Sequence, residues 1–254
     1  MGIKVTIITP TYNVGDKIIA TINSVISQSM IDYEYIIMDG QSTDNIKDKI
    51  DNYLIKYPQI HFYQGKDKGI YDAMNKAIKI AEGDYCYFIG AGDRLHDSEV
   101  LLNVLKAAEK TDADIIYGYV KAIGENTSYI MNYRLDYRYP VQFFPVCHQA
   151  VFSKTKLLKQ RGFDLAYKVG ADQDWMMYMK KQRKKMVYID YPIADYMLDG
   201  FSNSDLGKNT FDVEKIQIHK KYFPVNYYLI TYYRRIRDAV KRMLHKGREY
   251  HEGS

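Results

Sequence analysis

Up to Tyr119 the chain alternates between two hydrophobic periods. Short apolar runs fall at Val5–Thr9, Tyr35–Met38, Ile60–Tyr63, Tyr85–Ile89 and Ile115–Tyr119, the length and composition of buried strands. Between them, apolar residues recur at helical spacing: Ile18, Ile19, Ile22, Val25 and Ile26; then Ile46, Ile50, Tyr53, Leu54 and Tyr57. The same spacing returns at Ile70, Met74, Ala77, Ile78 and Ala81, and at Val100, Leu101, Val104, Leu105 and Ala108. Pro10 is expected to stop the first strand, since proline cannot donate to a ladder. Asp39-Gly40 ends the second, and Ser42 or Thr43 is placed to cap the next helix. Strand–helix alternation of this kind predicts an α/β fold with a mostly parallel central sheet flanked by helices. Ligands in such sheets bind at the carboxyl ends of the strands, so the residues just after each strand matter most.

Past residue 120 the pattern loosens. Segment 121–145 is rich in Tyr, Arg and Asn without a period and reads as including a mobile loop. Helices are expected near 153–161 and 173–183, a strand near 186–191, and a helical, aromatic stretch over the last fifty residues. The expected organisation is one large domain with a first half at 1–120 and a second at 121–205, followed by a helical tail at 206–254.

Charge sharpens the view of that tail. Residues 234–248 hold seven Lys/Arg and one acid, a net of +6, while the whole chain is +5, so the remainder sums to −1. Ile236, Ala239, Val240, Met243 and Leu244 form one apolar stripe beside these charges, downstream of an aromatic block at 222–233. A basic amphipathic helix next to aromatic residues suits the surface of an anionic membrane. The alternative is a helix that packs its stripe on the body and leaves its charges solvated. A nucleic-acid binder would carry its positive charge on the folded body instead. Only two cysteines are present, Cys86 and Cys147, which excludes a disulfide scaffold and suits a reducing compartment. No leader-like or membrane-spanning apolar run is apparent. The expected location is the cytoplasm, peripheral on the inner face of the plasma membrane.

The strand ends carry the chemistry. Thr9-Pro10-Thr11-Tyr12-Asn13 comes after strand one, with no glycine-rich dinucleotide fingerprint. Asp39-Gly40-Gln41-Ser42-Thr43-Asp44 comes after strand two and also reads as a plain turn and cap. Gly90-Ala91-Gly92-Asp93 comes after strand four: an acid on a glycine-permitted bend, suited to a divalent metal, with glycines that admit a diphosphate. In this order ITPTYN (8–13), the DGQSTD turn (39–44), DKGIYDAMNKAI (67–78), GDYCYFIGAGD (83–93), HQAVF (148–152) and GADQDW (170–175) resemble the family 2 inverting glycosyltransferases of GT-A fold, bacterial exopolysaccharide, capsule and O-antigen type. The resemblance spans roughly residues 3–203.

That resemblance implies roles for the matching positions. Thr9 and Tyr12 would line a base pocket, and Asp39 would bond the base, usually uracil. Asp44, Asp67 and Lys68 would lie near base, ribose or diphosphate, and Asp72 and Asn75 would face the donor. Asp93 matches the last acid of the family's Asp-x-Asp metal motif; Gly92 replaces its neighbouring acid, leaving one carboxylate for Mn²⁺ or Mg²⁺. Asp172 matches the general base, with Ala171 where the family has Glu. Asp174 is its rival, and in a first helical turn the two acids diverge by about 200°. His148, Gln149 and Trp175 are the acceptor-side candidates, His148 also as a metal ligand and Trp175 also as core. The implied activity is transfer of a hexose or N-acetylhexosamine from a nucleotide diphosphate sugar to a glycan hydroxyl, on a polyprenyl-diphosphate-linked acceptor. The competing readings are a nucleotide-sugar-binding pseudoenzyme and a sugar nucleotidyltransferase.

Overall fold

The computed structural model describes residues 4–132, 134, 147–200 and 204–225, together with Tyr228 and Tyr232. The basic stripe Ile236–Leu244, most of the aromatic block and, of the expected loop segment 121–145, residue 133 and residues 135–145 lie outside the described residues.

The elements run β1 (Val5–Thr11), α1 (Lys17–Ile26), β2 (Tyr33–Asp39), α2 (Ile46–Lys56), β3 (Ile60–Gln64), α3 (Ile70–Ile80), β4 (Tyr85–Phe88), β5 (Arg94–Leu95) and α4 (Val100–Thr111). They continue with β6 (Ile115–Ile123), β7 (Ser128–Met131), a 3-10 turn (His148–Ala150), β8 (Val151–Lys154), α5 (Thr155–Arg161), α6 (Ala171–Lys181), β9 (Met186–Met197) and α7 (Asp205–Tyr222). One sheet holds all the strands in the order β3-β2-β1-β4-β8-β6-β9-β5, with β7 beside β6. β3, β2, β1 and β4 pair in parallel. β8 then enters antiparallel between β4 and β6, and β6 and β9 are parallel again.

The expected stripes are the buried faces, except that Ile70 at the start of α3 is 48% exposed. Ile18, Ile22 and Val25 of α1, Ile46 and Ile50 of α2, and Met74, Ala77 and Ile78 of α3 all pack into the core. β1 and β2 are buried along their whole length, as central parallel strands covered on both faces should be.

Pro10 does not stop β1, which runs on to Thr11. The Ile8 carbonyl accepts from Ile89 on the β4 side, so Pro10, two residues on, turns its missing N–H to that same side. There the ladder with β4 has already ended at Ile8–Phe88, and no donor is needed. Neither Ser42 nor Thr43 caps α2; the helix starts after Asn45 in a left-handed conformation (φ 57°) without a side-chain cap.

Helix α7 is no free tail. It packs on α6 and buries Ile218 completely, with Glu214 and Tyr222 almost so. The expected boundary at 206 therefore falls inside the folded body. Among the described residues, no helix is long and apolar enough to cross a membrane.

Candidate active site

The predicted residues gather at the carboxyl ends of β1, β2 and β4 and the start of α6. A separate groove of about 720 Å³, lined by Lys4, Gly83, Tyr85, Asp112 and Lys154 among others, opens at the opposite strand ends and includes none of them.

Two loops after the first two strands are laced together. Asn13 (φ 50°) accepts on Oδ1 from the Thr43 N–H at 2.8 Å, while its own N–H donates to Ser42 Oγ at 2.8 Å. Gly15 N–H donates to Asp44 Oδ2 at 2.7 Å, and Asp44 Oδ1 is buried without a partner. Asp39 sits under this lacing, fully buried. Its Oδ1 accepts from Thr11 Oγ1 (3.0 Å) and Ser42 Oγ (2.5 Å). Its Oδ2 accepts from the Ser42 N–H (2.8 Å) and Gln64 Nε2 (2.9 Å). Burial pushes its pKa up, but the bonds from Ser42, Gln64 and Thr11 outweigh it and hold the carboxyl below its ordinary range. With four donors in place, Asp39 shapes the turn.

Thr9 is not in a pocket. It is fully buried inside the sheet and bonds Tyr35 OH at 2.9 Å; Thr11, two residues on, is the threonine that bonds Asp39. Tyr12 stands out at 65% exposure. Asp67 abuts the turn so closely that a Cβ on Gly40 would come 2.6 Å from its Oδ2. Lys68 is exposed, and its N–H donates to Asp72 Oδ2 at 3.0 Å. Asn75 does not face a donor. Its amide clasps the Phe163 backbone, donating at 2.9 Å and accepting at 2.8 Å, and so docks the segment after α5 onto α3.

Gly92 takes φ 104°, which favours glycine, and its N–H donates to Thr21 Oγ1 at 2.9 Å. Asp93, 5% exposed, accepts from the Met197 N–H (2.8 Å) on Oδ1 and from Gln149 Nε2 (3.0 Å) on Oδ2. Gln149 is itself buried and braces Asp93, so it offers little to an acceptor. Burial is the main reason the Asp93 pKa rises to about 6, against the lowering bonds from Met197 and Gln149 and the nearby His148. Among the described residues, no group of three or more His, Cys, Asp or Glu forms a metal cluster. Asp93 nonetheless fits a divalent cation completed by other oxygens: an acid held in place by neutral donors keeps a lone pair free on each oxygen, and a positive charge would offset its burial.

The two acids of α6 have separate fates. Asp172 Oδ1 accepts from the Gln173 N–H (2.8 Å) and shares the Tyr71 hydroxyl proton (3.1 Å) with the closer Val169 carbonyl, while Oδ2 meets His148 Nδ1 at 3.1 Å. Its side chain stays 14% exposed and that of His148 27%. Asp174 is fully buried. It pairs with Arg161, with Lys221 at 2.9 Å and with Tyr222 OH at 2.9 Å, so it ties α5, α6 and α7 together. Trp175 is core, 2% exposed, because the position after Asp174 turns inward on the same helix.

Sequence reasoning missed three contributors. Lys17, opening α1, reaches Asp199 at 2.5 Å and lies beside Gly92, whose Cβ would sit 3.7 Å from Lys17 Cβ. Tyr71 was inside a quoted motif but carried no role, and burial together with the Asp172 charge pushes its pKa well up. Glu214 reads in sequence as one charge among many on a polar helix.

Comparison with known proteins identifies the family. The glycosyl transferase family 2 model matches residues 6–188. A PGL/p-HBAD biosynthesis glycosyltransferase of Mycobacterium bovis is 31% identical over 172 residues, 66% of this chain and 66% of that protein. The poly(ribitol-phosphate) beta-glucosyltransferase of Bacillus spizizenii is 30% identical over 200 residues, 74% of this chain and 31% of that one. Among solved structures, Staphylococcus aureus TarS in complex with UDP-GlcNAc shares the fold with a TM-score of 0.68 at 19% identity, over 86% of this chain and 71% of that one. The chain thus spans just under two thirds, or less, of these curated relatives. With the family model covering most of the chain, the protein belongs to glycosyl transferase family 2.

Proposed function

We propose that the protein is an inverting glycosyltransferase that moves a hexose or N-acetylhexosamine from a UDP-sugar to a hydroxyl of a lipid-carried glycan, in bacterial surface polysaccharide synthesis. The observation that carries the reading is the division of labour on α6: Asp172 is oriented by Tyr71, His148 and its own helix yet partly open, while Asp174 is consumed by cations. The relatives' names support transfer to a polymer, and TarS supports a UDP-linked donor.

In this mechanism the Asp172 carboxylate takes the proton of the acceptor hydroxyl as its oxygen attacks the anomeric carbon. The bond from that carbon to the diphosphate oxygen breaks, and the leaving group departs with the electron pair on the opposite face. Tyr12 covers the base, and the laced turn 39–44 supplies its edge. Asp67, Lys68 and Asp72 lie towards ribose and diphosphate, with Gly92 leaving room for the phosphates. His148 orients Asp172 and contacts the acceptor. Asp93 would hold Mn²⁺ or Mg²⁺, whose chemistry there is to neutralise the departing nucleoside diphosphate.

A nucleotide-sugar panel assayed for nucleoside diphosphate release, with Mn²⁺, Mg²⁺ or chelator, tests this. We expect turnover with a UDP-sugar that chelator abolishes and Asp93→Asn removes. Donor binding without release, across the whole panel and with acceptor present, would instead make the protein a nucleotide-sugar-binding pseudoenzyme.

A further inference from the structure

We propose that Glu214, on α7, is a positioning residue for the catalytic base, a role that rests on Asp172 being that base. Its carboxylate collects three consecutive backbone N–H groups. Oε1 accepts from Lys168 at 2.7 Å, and Oε2 accepts from Val169 at 3.0 Å and Gly170 at 2.7 Å. These amides form the last turn before α6, whose second residue is Asp172. Glu214 is 7% exposed, so its charge is held by directed donors more than by water, and bonds of this charge-assisted kind are about twice as strong as neutral ones.

The same turn is gripped from its other side. Tyr71, on α3, donates to the Val169 carbonyl and stands 3.1 Å from Asp172 Oδ1. The peptide before α6 is thus fixed through its N–H groups by α7 and through a carbonyl by α3. The approach of α7 is close: a Cβ on Gly170 would come 3.1 Å from Ile218 Cδ1 and 3.2 Å from Glu214 Oε2. Rotation of this turn would swing the first residues of α6, and with them the open oxygen of Asp172. Displacement of a reacting group by about 1 Å can cost about 100-fold in rate. The helix that carries Glu214, residues 205–222, lies beyond the 6–188 matched by the family model.

The α7–α6 junction provides its own control. Lys221 pairs with Asp174 further along α6 and with Asp164 and the Tyr167 ring before the turn, whereas the 168–170 amides themselves are held by Glu214. In the full chain, Glu214→Gln offers one carbonyl where three N–H groups converge. We expect its kcat, at saturating donor and acceptor, to fall about 10-fold or more while donor KM stays within about twofold. Glu214→Asp should recover part of the loss. Lys221→Met should lower the melting temperature as much or more and leave kcat close to wild type. Wild-type kcat in a folded Glu214→Gln protein would overturn the proposal, as would an equal kcat loss in Lys221→Met. Asp172→Asn assayed in parallel separates the two readings. If it still transfers sugar, the assignment of the base fails; if it is inactive and Glu214→Gln is normal, only the positioning role fails. Should Glu214→Gln not fold, amide exchange of the wild-type protein decides: protection of 168–170 equal to the interior of α6 supports the anchor, and free exchange there overturns it.

Discussion

Two aspartates two residues apart on α6 should fail in different ways when altered. Asp172→Asn removes a proton acceptor and little else, since an amide can keep its contacts with Tyr71 and Gln173 by turning its oxygen to them. We expect transfer to fall by at least about 100-fold, with stability and donor binding retained. Asp174→Asn leaves Arg161 and Lys221 facing a neutral amide, but their side chains are 21% and 40% exposed, so the loss falls below the about 3–5 kcal/mol typical of a fully buried pair while still lowering stability measurably. Denaturant unfolding beside initial rates reads both, and a stable but inactive Asp174 variant would move the base by two residues. Asp39 gives a third residue-scale test. Asp39→Asn sets an NH₂ against hydroxyl and amide donors, at about 1–3 kcal/mol for the mismatched group. Because the folded pKa of Asp39 is depressed, its contribution is present above the unfolded carboxyl pKa and is lost as pH falls through the folded value. The stability gap between wild type and Asp39→Asn should therefore be full at neutral pH and shrink in strong acid. A gap that widens on acidification would contradict the shift.

At the scale of elements, what the sequence made legible is what depends on neighbours in the chain. Each strand of the parallel half and each of the first four helices shows its own period, so Val5–Thr9 and Ile70–Ala81 could be read from a dozen residues each. The other half of the sheet was less readable. The Ala-Val-Phe run looked strand-like, but that β8 inserts antiparallel between β4 and β6 depends on pairings dozens of residues apart. β5 has only two residues, too few for any period. β9 runs to Met197 rather than residue 191, past Pro192, which interrupts the apolar pattern where its ladder with β6 shifts register. The site divides the same way. Asp93 stands out as an acid on a glycine-permitted bend and Asp172 through the family resemblance, whereas the direction of Asn75 and the choice between cleft and core for Trp175 depend on which way a side chain points, which motif position does not say. Glu214 was invisible, since its partners lie 44–46 residues upstream. The docking of α7 is itself testable through Ile218, fully buried against Gly170. Ile218→Ala should cost about 2–5 kcal/mol, visible as a lower denaturation midpoint; an unchanged midpoint would mean that α7 is held by its polar contacts alone.

At the scale of the whole molecule, the packing of α7 decides where a membrane-binding tail would begin. Tyr222 bonds the buried Asp174 and Phe223 is partly buried against the core, so the body extends at least that far. Downstream, residues 234–248 hold a net +6 and the stripe Ile236–Leu244. Each basic residue beside an anionic surface contributes about 1 kcal/mol, so six net charges supply several kcal/mol before ordering costs, and partial burial of the stripe adds to this. The charge term is screened by salt, since the Debye length shortens from about 10 Å at 0.1 M to about 3 Å at 1 M. A chain ending at Val225 keeps every described contact of α7 with α6 and loses the whole basic segment. We expect the full chain to co-sediment with anionic vesicles at low salt, to be released at high salt, and to ignore neutral vesicles. The shortened chain should stay in the supernatant throughout, yet transfer sugar to a short soluble acceptor at close to the full rate. Equal recovery of both chains in the anionic pellet would defeat the membrane reading. A shortened chain that unfolds would show instead that the stripe after residue 235 packs on the body, which makes those residues part of the fold rather than a membrane tether.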